Sequence, residues 1–81
     1  MNNYKNKIIE ILNQIKPDKN VIIKPSDDLF ALGILDSFGM LSYITSIETE
    51  FNIQIPTEEL IPQNFWSIES TIETVMKIKN E

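Results

Sequence analysis

The residues that could do chemistry are few. They are Asp36 and Ser37, inside the stretch Leu32-Gly33-Ile34-Leu35-Asp36-Ser37-Phe38-Gly39-Met40-Leu41, and the acidic pair Asp27-Asp28. Ser37 stands where an apolar loop runs into a helical pattern, so three roles are open to it: helix cap, nucleophile, or attachment point. A nucleophilic serine needs a base within hydrogen-bond reach. The chain has no histidine and no cysteine, so the base would have to be a lysine or a carboxylate, with Lys24 and Asp36 nearest in sequence. The Gly-x-Ser-x-Gly elbow of serine hydrolases is absent. Two glycines in all rule out a phosphate-cradling glycine loop. Asp27-Asp28, after Pro25-Ser26, reads as turn and cap chemistry rather than an acid/base or metal pair, and no metal site is expected.

Attachment suits the residues better than attack. A helix N-terminus favours negative charge, and its unpaired N–H groups can bind phosphate oxygens. A serine there could carry a phosphodiester. Gly39, a weak helix former two residues on, would leave open space beside such a group. The plainer alternative is that Ser37 or Asp36 only caps the helix.

Composition narrows the class. Eighty-one residues form one domain, residues 1–81. Net charge is −5, from 12 acids against 7 basic residues, all lysine. That argues against nucleic acid, whose binding rests on cationic side chains. No apolar run approaches the roughly 20 residues of a membrane span, and the N-terminus does not resemble a signal peptide. The expectation is a cytoplasmic monomer that neither inserts into membranes nor binds nucleic acid.

The elements that must position Ser37 follow from periodicity. Tyr4, Ile8, Ile11, Leu12 and Ile15 share one face of a helix over 3–16, with Ile9 widening it. Pro17 stops that helix. Residues 17–36 are a long connection. Val21-Ile22-Ile23 is read as extended loop, since it has no partner strand, and Leu29, Phe30, Leu32, Ile34 and Leu35 should lie on the core. The second helix covers 37–51. At about 100° per residue, Met40, Tyr43, Ile44, Ile47 and Phe51 fall in one buried arc. Phe38 and Leu41 fall opposite, beside Ser42, Thr45 and Glu48, as a candidate partner surface. Asn52 ends this helix. A short helix over Pro56–Ile61, capped by Thr57, follows, and Phe65 and Trp66 should lock onto the core. The last helix covers 67–79, capped by Ser67. Its stripe is Ile68, Ile72, Val75 and Met76, and Glu73–Lys77 is an i,i+4 pair. The fold class is therefore all-α: a four-helix bundle of three long helices and one short one, with a long loop between helices 1 and 2.

Asp28-Leu29-x-x-Leu32-Gly33-x-x-Asp36-Ser37-Phe38 resembles the attachment motif of the acyl carrier protein family. The resemblance continues through Glu48-Thr49-Glu50-Phe51-Asn52-Ile53-Gln54-Ile55-Pro56 and so covers nearly the whole chain in order. It implies a carrier with no catalysis of its own. Ser37 would take covalent 4′-phosphopantetheine from coenzyme A through a phosphopantetheinyl transferase, and Asp36 would help present it. The arm's thiol would hold an acyl or aminoacyl group as a thioester, which accounts for the missing cysteine. Partners would be the transferase, an acyl- or aminoacyl-activating enzyme, and a downstream acyltransferase or synthase, docking along helix 2. Carriers of fatty acid synthesis usually have an acid where this chain has Ser42, and another where it has Gly39. Asp-Ser-Phe-Gly and the Asn-Phe-x-Ser-Ile entry to the last helix look more like D-alanyl and other stand-alone aminoacyl carriers. The alternative function is a small helical interaction module with an unmodified Ser37.

Overall fold

The computed structural model describes residues 2–16 and 20–80. Three α-helices carry the fold: α1 (Asn2–Ile15), α2 (Ser37–Phe51) and α3 (Ile68–Lys79). No strand occurs among the described residues. The all-helical reading holds, and the α2 bounds match the expected ones. α1 buries Ile8, Ile11 and Leu12, with Tyr4, Ile9 and Ile15 half-buried against the same core. Its expected stop at Pro17 lies outside the described residues, as do Asp18 and Lys19.

The arc expected on α2 faces inward. Tyr43, Ile44, Ile47 and Phe51 are buried and Met40 is half-buried. A fully buried apolar side chain of this size contributes roughly 1.5–3 kcal/mol, and α2 supplies more of them than either other helix. Asn52 ends it in the left-handed conformation (φ 54°), its N–H donating to the Glu48 carbonyl. Ser67 caps α3 in a capping box with Ser70. Ile68 and Val75 are buried on α3 as expected, but so are Thr71 and Thr74, which the expected apolar stripe did not include. Both threonines return their hydroxyls to the helix itself: Thr71 Oγ1 donates to the Ser67 carbonyl and Thr74 Oγ1 to the Ser70 carbonyl. With its proton so used, Thr71 accepts a hydrogen bond from the Tyr43 hydroxyl at 2.8 Å, tying α2 to α3. Tyr43 also meets the Phe65 ring edge-on at 6.5 Å. Burial pushes the Tyr43 phenol well above its ordinary pKa and keeps it neutral.

Several expectations are corrected. The short helix before α3 is not an α-helix. It is two 3-10 turns, Thr57–Glu59 and Pro62–Asn64. Proline has no N–H to donate and disfavours helical geometry in the residue before it, so Pro62 stops the first turn from growing. Pro56, not Thr57, holds the cap position, with no side-chain cap bond. Lys77 pairs with Glu59 at 3.1 Å rather than with Glu73, pinning the first 3-10 turn to α3. Phe65 is fully buried, but Trp66 remains 40% exposed; the aromatic that locks the link is Phe65 alone.

The long loop is fixed by backbone bonds. Leu29 N–H donates to the Trp66 carbonyl (2.7 Å), and Glu69 N–H to the Pro25 carbonyl (3.1 Å). The amides of Ile34 and Leu35 both donate to the Leu29 carbonyl. Leu29, Ile34 and Leu35 are buried and Phe30 is half-buried. Leu32 is not an anchor: it sits on the outside of the turn that these bonds close, 45% exposed. Val21 and Ile23 are half-buried while Ile22 points out, the alternation of an extended segment lying on a core.

Candidate functional site

Asp36 and Ser37 divide the work at the start of α2. Asp36 is the N-cap, in extended geometry, and its Oδ1 accepts from the Gly39 amide at 2.7 Å. Its carbonyl accepts from the Met40 amide. Ser37 is the first helical residue and is exposed. Its hydroxyl has no hydrogen-bond partner among the described residues, nor do the amides of Ser37 and Phe38. An exposed hydroxyl therefore stands over two unpaired N–H groups at the positive end of a helix, a setting that favours a phosphate group.

Both glycines serve this geometry. Gly33 takes a positive φ of 77°, which turns the loop back toward α2. Gly39 does not leave open space, contrary to the expectation from sequence. A Cβ there would lie 2.8 Å from the Ile34 carbonyl oxygen and 3.2 Å from Asp36 Oδ1. The loop backbone presses directly on the first turn of α2, and only a glycine admits it. That contact sets where Ser37 emerges.

Three grooves open around this helix. One of about 530 Å³ lies between the end of α1 and the start of α2, lined by Gln14, Ile15, Ile34, Asp36, Gly39 and Ser42 among others. One of about 260 Å³ lies on the opposite side, lined by Ser37, Met40, Leu41, Ile44 and Leu60. The third, about 270 Å³, runs further along α1 and α2 past Lys7, Thr45 and Glu50. Ser37 thus borders the apolar groove. Leu60 is the lining residue that periodicity did not assign; the Pro56 and Pro62 that bracket it were the available signal.

The residues expected to form a partner surface are distributed as follows. Phe38 is 84% and Leu41 68% exposed, and Ser42 and Thr45 are exposed beside them. Glu48 is half-buried, and its Oε2 accepts from the Ile55 amide at 2.9 Å, so its carboxylate braces the link after α2. Asp27 and Asp28 have local work. Asp27 Oδ2 accepts from the Lys24 amide, and Asp28 Oδ1 from the amides of Phe30 and Ala31. Among the described residues, no cluster of three or more Asp and Glu is arranged to hold a metal ion.

The sequence of residues 5–76 matches the family model described as a phosphopantetheine attachment site. The chain belongs to the family of carrier proteins that bear covalent 4′-phosphopantetheine. The carrier is similar along almost its whole length to proteins named D-alanyl carrier protein. It is 31% identical to that of Bacillus licheniformis over 78 residues, 96% of this chain and 95% of the relative. It is 29% identical to that of Streptococcus thermophilus over 76 residues, 94% and 95% of the two chains. It is 29% identical to that of Bacillus subtilis over 69 residues, 85% and 87% of the two. The exposed hydroxyl, the unpaired amides below it and the lack of any cysteine in the chain all fit an externally supplied, phosphate-linked thiol arm.

Proposed function

We propose that this chain is a stand-alone carrier of an activated aminoacyl or other short acyl group, with Ser37 as the attachment residue. The observation that carries this reading is the division of labour at the start of α2. Asp36 caps the helix, so the Ser37 hydroxyl is left exposed and unpaired in a chain of the phosphopantetheine family. The other serine at a helix start, Ser67, is buried and spent on its capping box. When bound, the arm supplies a thiol that holds the cargo as a thioester. Ser37 Oγ would hold its phosphate, the Ser37 and Phe38 amides would be the backbone donors available to it, and Asp36 keeps the first turn in register. Transfer from coenzyme A would join the Ser37 oxygen to the phosphopantetheine phosphorus and release adenosine 3′,5′-bisphosphate, with the carboxylate of the neighbouring Asp36 assisting presentation. Phe38 and Leu41 form the contact surface for the enzymes that load and unload the carrier, with Ser42 and Thr45 at its rim.

The aminoacyl assignment rests on the names and near-complete overlap of the relatives. The partners that follow are a phosphopantetheinyl transferase, an amino-acid-adenylating enzyme and an acceptor acyltransferase, and no reaction of the chain's own. The loading chemistry draws on coenzyme A and ATP, which supports a cytoplasmic setting. Among the described residues, no helix is long and apolar enough to cross a membrane.

The test is intact mass after incubation with coenzyme A, Mg²⁺ and a broad-specificity transferase. The wild type should gain one phosphopantetheine and Ser37→Ala none. An equal gain on Ser37→Ala, or none on the folded wild type, overturns the attachment assignment. The loaded arm should then accept D-alanine from an adenylating enzyme as a hydroxylamine-labile adduct. Acceptance of long fatty acyl groups alone would refute the aminoacyl reading.

A further inference from the structure

We propose that Glu59 is a positioning residue for the chemistry at Ser37. Held by Lys77 and Asn64, it fixes Leu60 as the far wall of the apolar groove that Ser37 borders. The inference rests on the assignment of Ser37 above and concerns what shapes the surface that a loading enzyme meets there.

The two walls of this groove are built differently. Of the residues that line it, Ser37, Met40, Leu41 and Ile44 belong to α2, and Leu60 alone comes from elsewhere. The width of the groove beside Ser37 therefore depends on where the segment carrying Leu60 sits. Burial does not settle that. Ile55 and Phe65 are buried at the two ends of the segment, but neither 3-10 turn between them has a buried side chain. Polar groups hold it instead, and they converge on Glu59. Its Oε2 accepts from Lys77 Nζ on α3 at 3.1 Å. Its Oε1 and its carbonyl both accept from Asn64 Nδ2, at 3.0 and 2.8 Å. Asn64 is tied to α3 in turn, its carbonyl accepting from Thr74 Oγ1 at 3.0 Å. One residue thus joins the first 3-10 turn to the second and to the last helix.

The backbone passes this hold to Leu60. The Ile61 amide donates to the Glu59 carbonyl at 2.9 Å, and Leu60 between them has φ −84° and ψ 62°. That is an inverse γ-turn with Leu60 at its centre. So tight a turn aims its central side chain from the residue before it, so that a shift of Glu59 re-aims Leu60. The Glu59–Lys77 pair adds little to global stability, because the Lys77 side chain is 70% exposed. Its effect is local, since a segment with no buried side chain loosens when its tether is cut. An enzyme docking on α2 then has to order the wall as it binds. Its apparent affinity falls in proportion to the fraction of carrier in which the wall is in place.

The experiment compares the wild type with Lys77→Ala, Lys77→Arg, Leu60→Ala and the Leu60→Ala/Lys77→Ala double variant. Two quantities are measured: amide hydrogen exchange, and steady-state kinetics of arm attachment from coenzyme A by a phosphopantetheinyl transferase with the apo-carrier varied. In Lys77→Ala the Leu60 and Ile61 amides should exchange at least about five-fold faster, while those of Ile44 and Ile47 stay within roughly two-fold of the wild type. KM for the carrier should rise about three-fold or more with kcat held within roughly two-fold, as expected when a binding surface rather than a reacting group is disturbed. Lys77→Arg should restore both readings. Added to Leu60→Ala, Lys77→Ala should raise KM no further, because the tether acts through that side chain. If Lys77→Ala does not fold, Glu59→Gln, which keeps an acceptor for Asn64, takes its place. Unchanged exchange at Leu60 and Ile61 overturns the proposal. So does an unchanged KM, a loss confined to kcat, or a KM effect that adds in full to that of Leu60→Ala. A wild type that takes no arm refutes the attachment assignment, while the exchange rates decide the hold of Glu59 on Leu60 separately.

Discussion

α2 and α3 both begin at a serine, and the two serines do opposite things. Ser67 stands just before α3, is 1% exposed, and uses its hydroxyl on the Ser70 amide and side chain. Ser37 stands one position later in its helix, because Asp36 has taken the cap, and its hydroxyl is left outside. A one-residue difference in who caps separates a serine spent on structure from one left exposed and unpaired. An acid before the serine is thus more than a charge: it relieves the serine of the structural task.

The largest effect that should separate the two serines comes from removing each hydroxyl. Ser37→Ala should abolish arm attachment, read by intact mass, while changing stability by less than about 0.5 kcal/mol. Ser67→Ala should leave attachment intact and cost about 1–2 kcal/mol in a denaturant titration. Reversed outcomes would erase the distinction. Next is Gly39→Ala. In an ordinary helix this change stabilises by up to about 1 kcal/mol, but here the new methyl meets the Ile34 carbonyl. A loss of about 1–3 kcal/mol is expected, and a rise in melting temperature would show that the loop does not press on α2 as described. Asp36→Ala should cost about 1 kcal/mol through the lost cap, and Asp36→Asn only a few tenths, since asparagine caps about as well. If attachment slows in both, the Asp36 charge matters at transfer; if only in Asp36→Ala, its role is the cap.

A further contrast concerns Tyr43, which joins α2 to the first turn of α3. Tyr43→Phe leaves Thr71 bonded to the Ser67 carbonyl and should cost about 1 kcal/mol. Its diagnostic is alkaline pH. The folded phenol has a raised pKa, so its contribution is fully present below the ordinary tyrosine value of about 10 and is lost as pH rises beyond it. There the unfolded chain releases a proton that the folded chain keeps, and stability falls by up to about 1.4 kcal/mol per pH unit. The gap between wild type and Tyr43→Phe should narrow or invert above that pH. A constant gap would mean that Tyr43 ionises in place.

Much of this was legible in the sequence, for identifiable reasons. α2 was readable to the residue, because an acid-serine start, a clean apolar arc and Asn52 all act locally. The contrast between Tyr43 inside and Phe38 outside followed from the same arc. What was hidden depended on distant partners. Thr71 and Thr74 look like surface residues until their hydroxyls are seen to return to their own helix. Lys77 looked paired with Glu73, because only the fold brings Glu59 nearer. Gly39 looked like a void, because the Ile34 carbonyl arrives from the loop. Trp66 and Leu32 read as buried because hydrophobicity alone does not tell which side of a turn faces out.

The bonds from Leu29 to Trp66 and from Pro25 to Glu69 have a consequence for the timing of synthesis. The loop that delivers Ser37 is held by backbone groups roughly forty residues further along the chain, and contacts so distant form only once both ends exist. A ribosome that has released α2 but not α3 therefore exposes Ser37 in sequence without yet presenting it in shape. Chains truncated before Trp66 should be poor substrates for arm attachment even though every residue around Ser37 is present. On the attachment assignment proposed above, maturation would wait for the C-terminal third of the chain.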